Sequence, residues 1–208
     1  MQPSVGACKD RLLGVIVLAA GFSSRLGQPK PLARVHGATL LARLIATLQP
    51  LRLAPTITVI IPPRAARYTG TATAQRLRFI ANPARADGLS SSVRLAVRSA
   101  RYCAGVLLIP VDLVNLSGRD VARLVRRWRG SRRRVVASAI DGAAATPLIL
   151  PHWLFAQARR LEGDQGLRAI VRGLDASAIT LIAMASAATD VDTPRDLQRA
   201  RHRNRRKS

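Results

Sequence analysis

The sequence predicts an α/β domain built on one mostly parallel sheet, with helices on both faces and a small antiparallel insertion past the centre. Three observations carry this. Val15–Leu18, Thr56–Ile61 and Gly105–Pro110 are runs of apolar and β-branched residues, as in strands covered on both faces. Segments of helical period separate them, and parallel neighbours need such crossovers. Finally, Arg134–Ile140 and Thr146–Leu150 flank Asp141-Gly142, a tight-turn dipeptide that pairs its flanks antiparallel.

The elements follow in order. Residues 1–11 read as a loose leader and 12–198 as one domain. Thr39 caps a helix with Leu40, Leu41, Leu44, Ile45 and Leu48 on one face, closed by Pro50 and Pro55. Pro62-Pro63 ends the second strand; Arg64–Gln75 is expected to be helical and Arg78–Ala81 a short strand. Asn82–Ser92 is a loop whose serines can cap a helix bearing Val93, Ala96, Val97 and Ala100. Ser117 caps the next, with Val121, Leu124, Val125 and Trp128 buried. Pro151 opens a helix expected to reach Leu161. Gly163-Asp164-Gln165-Gly166 is a turn before a helix carrying Arg168, and Ile179–Ala183 is the last strand. Thr193, Pro194 and Asp196 then start a final helix, and 199–208 is expected to be a basic, disordered tail.

With 208 residues and 48% hydrophobic content the chain can bury a substantial core. No apolar stretch has the length of a membrane span. Cys8 and Cys103 lack metal-ligand spacing and form no disulfide framework, which fits a reducing cytoplasm. The net charge of +23 is carried almost wholly by arginines scattered through every segment, and aromatics are 3%. That is too few for a base-stacking platform, so nucleic acid is expected to bind only non-specifically.

The residues able to do chemistry fall at strand ends. Val15–Leu18 runs into Ala19-Ala20-Gly21-Phe22-Ser23-Ser24-Arg25-Leu26-Gly27-Gln28-Pro29-Lys30. Small residues there let backbone N–H groups approach an anion, and Arg25 and Lys30 neutralise it. Only three lysines occur, Lys9, Lys30 and Lys207, so an ammonium in this loop points to a site wanting a compact charge. Asp112 stands just past the apolar run Gly105–Pro110, where open α/β sheets place ligands. Asp190 and Asp192, two apart in extended chain, put both carboxylates on one side. With acids so scarce, a divalent cation such as Mg2+ is a reasonable companion for them. Each has a plainer reading as a turn or cap residue.

Together these residues resemble a known family. Ala19-Ala20-Gly21-x-Ser23-Ser24-Arg25-Leu26-Gly27-x-Pro29-Lys30 is similar to the signature of nucleotidyltransferases with a three-layer, Rossmann-like NTP-transferase domain. Within them the chain most resembles molybdenum cofactor cytidylyltransferases, through Gly163-Asp164-x-Gly166-x-Arg168 and Asp190-Val191-Asp192-Thr193-Pro194-x-Asp196-Leu197. The resemblance implies CTP, or another NTP, as donor, a molybdopterin-type acceptor, a client molybdoenzyme and Mg2+. It implies Arg25, Lys30 and Asp112 in catalysis. Ala19, Ala20, Gly21, Ser23, Arg25, Lys30, Asn82, Gly88 and Ser92 would bind the nucleotide, Asp164 and Arg168 the acceptor, and Asp112, Asp190 and Asp192 the metal. The chain departs from the family at Leu113-Val114, Ala86-Asp87 and Ala145-Thr146-Pro147. A different phosphorylated acceptor, such as a sugar phosphate, and a nucleotide-binding maturation chaperone without turnover are the alternatives.

Overall fold

The structure, a computed structural model, describes residues 12–64, 66–70 and 76–203. In chain order the strands are β1 (Leu13–Leu18), β2 (Arg34–Val35), β3 (Ala38–Thr39), β4 (Ile57–Ile61), β5 (Leu77–Ala81), β6 (Gly105–Pro110), β7 (Val135–Ile140), β8 (Ala143–Pro151) and β9 (Ile179–Ala183). The helices are α1 (Leu40–Leu48), α2 (Ala66–Thr69), α3 (Leu89–Ser99), α4 (Gly118–Gly130), α5 (Phe155–Ala158), α6 (Leu167–Arg172) and α7 (Pro194–Arg203).

Seven strands form one sheet in the order β5-β4-β1-β6-β8-β7-β9. Every neighbouring pair is parallel except the two that involve β8. The expected α/β class is therefore present. The Asp141-Gly142 hairpin is not a separate appendage, however: β8 sits between β6 and β7 as the reversed strand of the main sheet. A second sheet, β2 with β3, turns at His36-Gly37, both with positive φ, as short hairpins require.

The central strand shows why its sequence is apolar without alternation. Val15 and Val17 enter a core with α1 and α4, while Ile16 enters the opposite core with α3, α5 and α6. Both faces are covered, so each position is buried, and each buried branched side chain contributes about 1.5–3 kcal/mol relative to exposure. A third cluster joins Leu26, Ala33, Val35 and Leu40 to Val191, Leu197 and Ala200. It fastens the segment after β1 to the segment before α7, which are remote in sequence.

Several local expectations need correction. The helix expected over Arg64–Gln75 is the four-residue α2, and 71–75 lie outside the described residues. The segment after Pro151 is a 3-10 turn, His152–Leu154, followed by α5, which stops at Ala158 rather than Leu161. Residues 199–203 are not tail but the end of α7, because Ala200 is buried in the third cluster; 1–11 and 204–208 lie outside the described residues. Among the described residues no helix is long and apolar enough to cross a membrane.

Candidate active site

Two chain reversals at the carboxyl ends of β1 and β6 build the site. The N–H of Ala19 donates to Ile60 O at 2.9 Å, and that of Val111 to Leu18 O at 3.1 Å. These bonds carry the parallel pairing one residue past β1 and β6, and both segments then leave the sheet side by side as loops. After β1 the chain makes a left-handed turn at Ser23 (φ 58°) and another at Gly27 (φ 71°). The Ser23 hydroxyl accepts from the Lys30 N–H at 3.0 Å. The loop thus folds back and brings Lys30 over the end of β6.

There the Lys30 Nζ donates to Asp112 Oδ2 at 2.7 Å and also to Asp192 Oδ1. Arg25 pairs with the other Asp192 oxygen at 2.7 Å. The Val191 N–H donates to Asp112 O at 3.2 Å, so the backbone itself ties the two acidic segments together. Burial draws the Lys30 ammonium toward neutrality, but Asp112 and Asp192 outweigh it and hold its pKa above the ordinary lysine value. Asp190 is pushed up, by partial desolvation first and then by the Asp192 and Asp112 charges. The Arg25 pair, with its arginine well exposed, contributes little to stability.

These groups open into a cleft of about 860 Å³. Every residue expected at the site lines it except Asn82. Asn82 is 2% exposed, and its amide donates to the Ser91 and Ser92 hydroxyls at 2.9 and 3.0 Å. It therefore positions Ser92, which lines the cleft. The three serines do not cap α3. The capping position is Gly88, with no side-chain bond, and the serines lie buried in the first turn. The Ser90 N–H is spent on Gly163 O at 3.1 Å, so this helix end is closed by the Gly163–Gly166 turn.

Gly88 explains its own identity. Its φ is +85°, and a Cβ there would lie 2.5 Å from both Asp164 Oδ1 and Gly163 O. The Asp164–Arg168 segment thus packs directly on the loop before α3, and Arg168 and Arg172, one turn apart on α6, both face the cleft. Sequence reasoning missed Phe22, Arg85 and Arg172 as cleft residues. The two arginines are lost in an arginine-rich background, and Phe22 stands at the unspecified position of the motif quoted above.

Asp112 and Asp192, both paired with Lys30, offer hard oxygen donors side by side, and Asp190 lines the same cleft, where their charges disfavour its own. Among the described residues no three carboxylate, imidazole or thiol groups form a complete metal cage. One or two carboxylates completed by substrate phosphates are the usual way of holding Mg2+, so the donor set fits such an ion.

A parallel sheet whose strand ends present two cations and converging aspartates is the arrangement of a phosphoryl- or nucleotidyl-handling α/β protein. Comparison narrows this. Residues 15–179 match the family of the MobA-like NTP transferase domain, and the chain belongs to that family of nucleotidyltransferases. It is 32% identical over 199 residues to a probable molybdenum cofactor guanylyltransferase of Rhodopirellula baltica, covering 92% of each chain. It is 43% identical over 91 residues to a bifunctional IPC transferase and DIPP synthase of Rubrobacter xylanophilus, a match covering 41% of this chain but 21% of that protein. A solved nucleotidyl transferase from Methanothermobacter thermautotroptrophicus shares the fold at a TM-score of 0.79 and 18% identity, over 95% of this chain and all (100%) of the other.

Proposed function

We propose that this protein transfers CMP from CTP to the terminal phosphate of a molybdopterin-type acceptor and releases pyrophosphate. An acceptor phosphate oxygen attacks the α-phosphorus, the bond from that phosphorus to the β-phosphate oxygen breaks, and pyrophosphate leaves with the electron pair. The nucleophile is already ionised, so no side chain has to remove a proton. The observation that supports this reading best is the meeting of Lys30 with Asp112 and Asp192 at one point of the cleft.

In this reading Lys30 and Arg25 exchange their carboxylate partners for triphosphate oxygens and stabilise charge on the departing pyrophosphate. Backbone groups of Ala19, Ala20 and Gly21, the loop at Ser23, and the Ser92 hydroxyl shape the nucleotide half, with Asn82 and Gly88 holding Ser92 and its loop in place. Asp164 and Arg168 border the acceptor half. Asp112 and Asp192, aided by Asp190, would hold Mg2+, which when bound supplies a positive charge for the reacting phosphates.

GTP is the second reading for the donor, favoured by the guanylyltransferase name of the Rhodopirellula relative. The test is pyrophosphate release by the purified protein with magnesium and molybdopterin, comparing CTP with GTP and molybdopterin with sugar phosphates. Release with CTP and molybdopterin alone is the expected result. Release only with a sugar phosphate overturns the acceptor, and nucleotide binding without release from any acceptor would assign the chain to a chaperone role.

A further inference from the structure

Two side chains with no part in the reaction just described meet at the cleft. Phe22, in the loop after β1, is 62% exposed. Arg85, on the single 3-10 turn Arg85–Asp87 after β5, sets its guanidinium carbon 3.9 Å from the centre of the Phe22 ring. Both line the cleft. The Arg85 Nε is sealed from solvent and has no hydrogen-bond partner, and among the described residues Arg85 makes no ion pair. Arg25 and Lys30 differ, since Asp192 and Asp112 already engage them.

The position of this pair is informative. In the strand order β5-β4-β1-β6, Lys30 and Asp112 meet on the β6 side of β1, and the Phe22–Arg85 contact bridges the other side, toward β5. Three strand spacings, about 15 Å in all, separate β5 from β6. A nucleotide with its phosphates at Lys30 and Asp112 and its body laid across the strand ends toward β5 therefore brings its base to Arg85. A guanidinium centred 3.9 Å over an aromatic ring is restricted in its orientations, and its planar fork recognises two acceptors side by side.

We propose that Arg85, braced by Phe22, selects the nucleobase. Its fork matches bases with adjacent acceptors: O2 and N3 of cytosine, or O6 and N7 of guanine. Adenine and uracil offer no two acceptors side by side and leave one N–H of the fork unmatched. This assignment rests on the nucleotidyl-transfer reading and adds to it a reason for base choice.

The experiment measures equilibrium binding of CTP, GTP, ATP, UTP and inorganic tripolyphosphate, with magnesium, to the wild type and to the Arg85→Ala, Arg85→Lys and Phe22→Leu proteins, each checked by circular dichroism. The wild type is expected to bind CTP or GTP at least about tenfold more tightly than ATP and UTP. Arg85→Ala reduces that ratio to within about twofold and leaves tripolyphosphate binding unchanged. Arg85→Lys keeps the charge but does not restore the ratio, and Phe22→Leu lowers it partway. An unaltered ratio in Arg85→Ala overturns the assignment, as does an equal loss for all four nucleotides and tripolyphosphate. Failure of the wild type to bind any of the five overturns the nucleotidyl-transfer reading along with it.

Discussion

The Nζ of Lys30 and Oδ2 of Asp112 stand 2.7 Å apart although 82 positions separate them in the chain. The side chains of Lys30 and Asp112 are 17% and 18% exposed, so the pair is screened much less than a surface ion pair. In the proposed reaction this cation meets the triphosphate. Lys30→Met keeps most of the apolar stem and removes the charge. Nucleotidyl transfer is expected to fall by about 100-fold or more, the range seen when one group stabilising transition-state charge is deleted. Pyrophosphate release at saturating nucleotide checks this, and circular dichroism verifies the fold. A drop of less than tenfold would remove Lys30 from the chemistry.

The same pair sets a pH dependence of stability. The Lys30 pKa is raised in the folded protein, so its contribution is fully present below the ordinary value of 10.5 and is lost as pH rises through the higher folded value. Melting temperatures of wild type and Lys30→Met should therefore differ by a constant amount from about pH 8 to about pH 10 and converge above that. Convergence on the acid side of pH 10 would contradict the arrangement.

Asp190 carries the opposite balance. Desolvation, then Asp192 and Asp112, raise its pKa. A carboxyl raised in this way favours the folded state below its unfolded value of 3.8 and loses that contribution as pH rises through its folded value. At neutral pH its charge opposes folding. Asp190→Asn is expected to raise the melting temperature by about 1–2 °C at pH 7, a gain that disappears at about pH 3. If Asp190 also helps to hold Mg2+, nucleotide binding in the variant needs a higher magnesium concentration, which titration calorimetry measures.

The contrast between Lys30 and Asp190 shows what a sequence can convey about such a site. The buried strands were legible because coverage on both faces demands unbroken apolar runs, as Val15, Ile16 and Val17 display in two opposite cores. Lys30, Asp112 and Asp192 stood out because lysines and acids are scarce in this chain. Pairing was not legible, because it depends on the third apolar cluster, where Leu26 meets Val191 and Leu197 across the length of the chain. The role of Asn82 was hidden for a similar reason. A buried amide serving two serines and an amide facing a ligand look alike in sequence. The placement of β8 was hidden too: Asp141-Gly142 reports the hairpin, but the insertion of its return strand beside β6 is a long-range pairing that no local signal encodes.

Gly88 packs directly on the turn at Gly163-Asp164, with no room for a side chain, and this yields the sharpest substitution. A methyl group at position 88 would meet Gly163 O and Asp164 Oδ1 at 2.5 Å, and the residue would also have to hold a φ of +85° that L side chains rarely adopt. Neither obstacle yields to a side-chain rotation, since one contact is to backbone. Gly88→Ala is expected to cost about 2 kcal/mol or more of stability, from backbone strain and from overpacking. Relief comes only by moving the Gly163–Gly166 turn away from α3, which breaks the Ser90 N–H bond to Gly163 O and carries Arg168 with it. Chemical denaturation measures the first effect. Steady-state kinetics measure the second: KM for the acceptor should rise several-fold while KM for the nucleotide changes less. The reverse pattern would show that the Asp164–Arg168 turn serves the nucleotide instead of the acceptor.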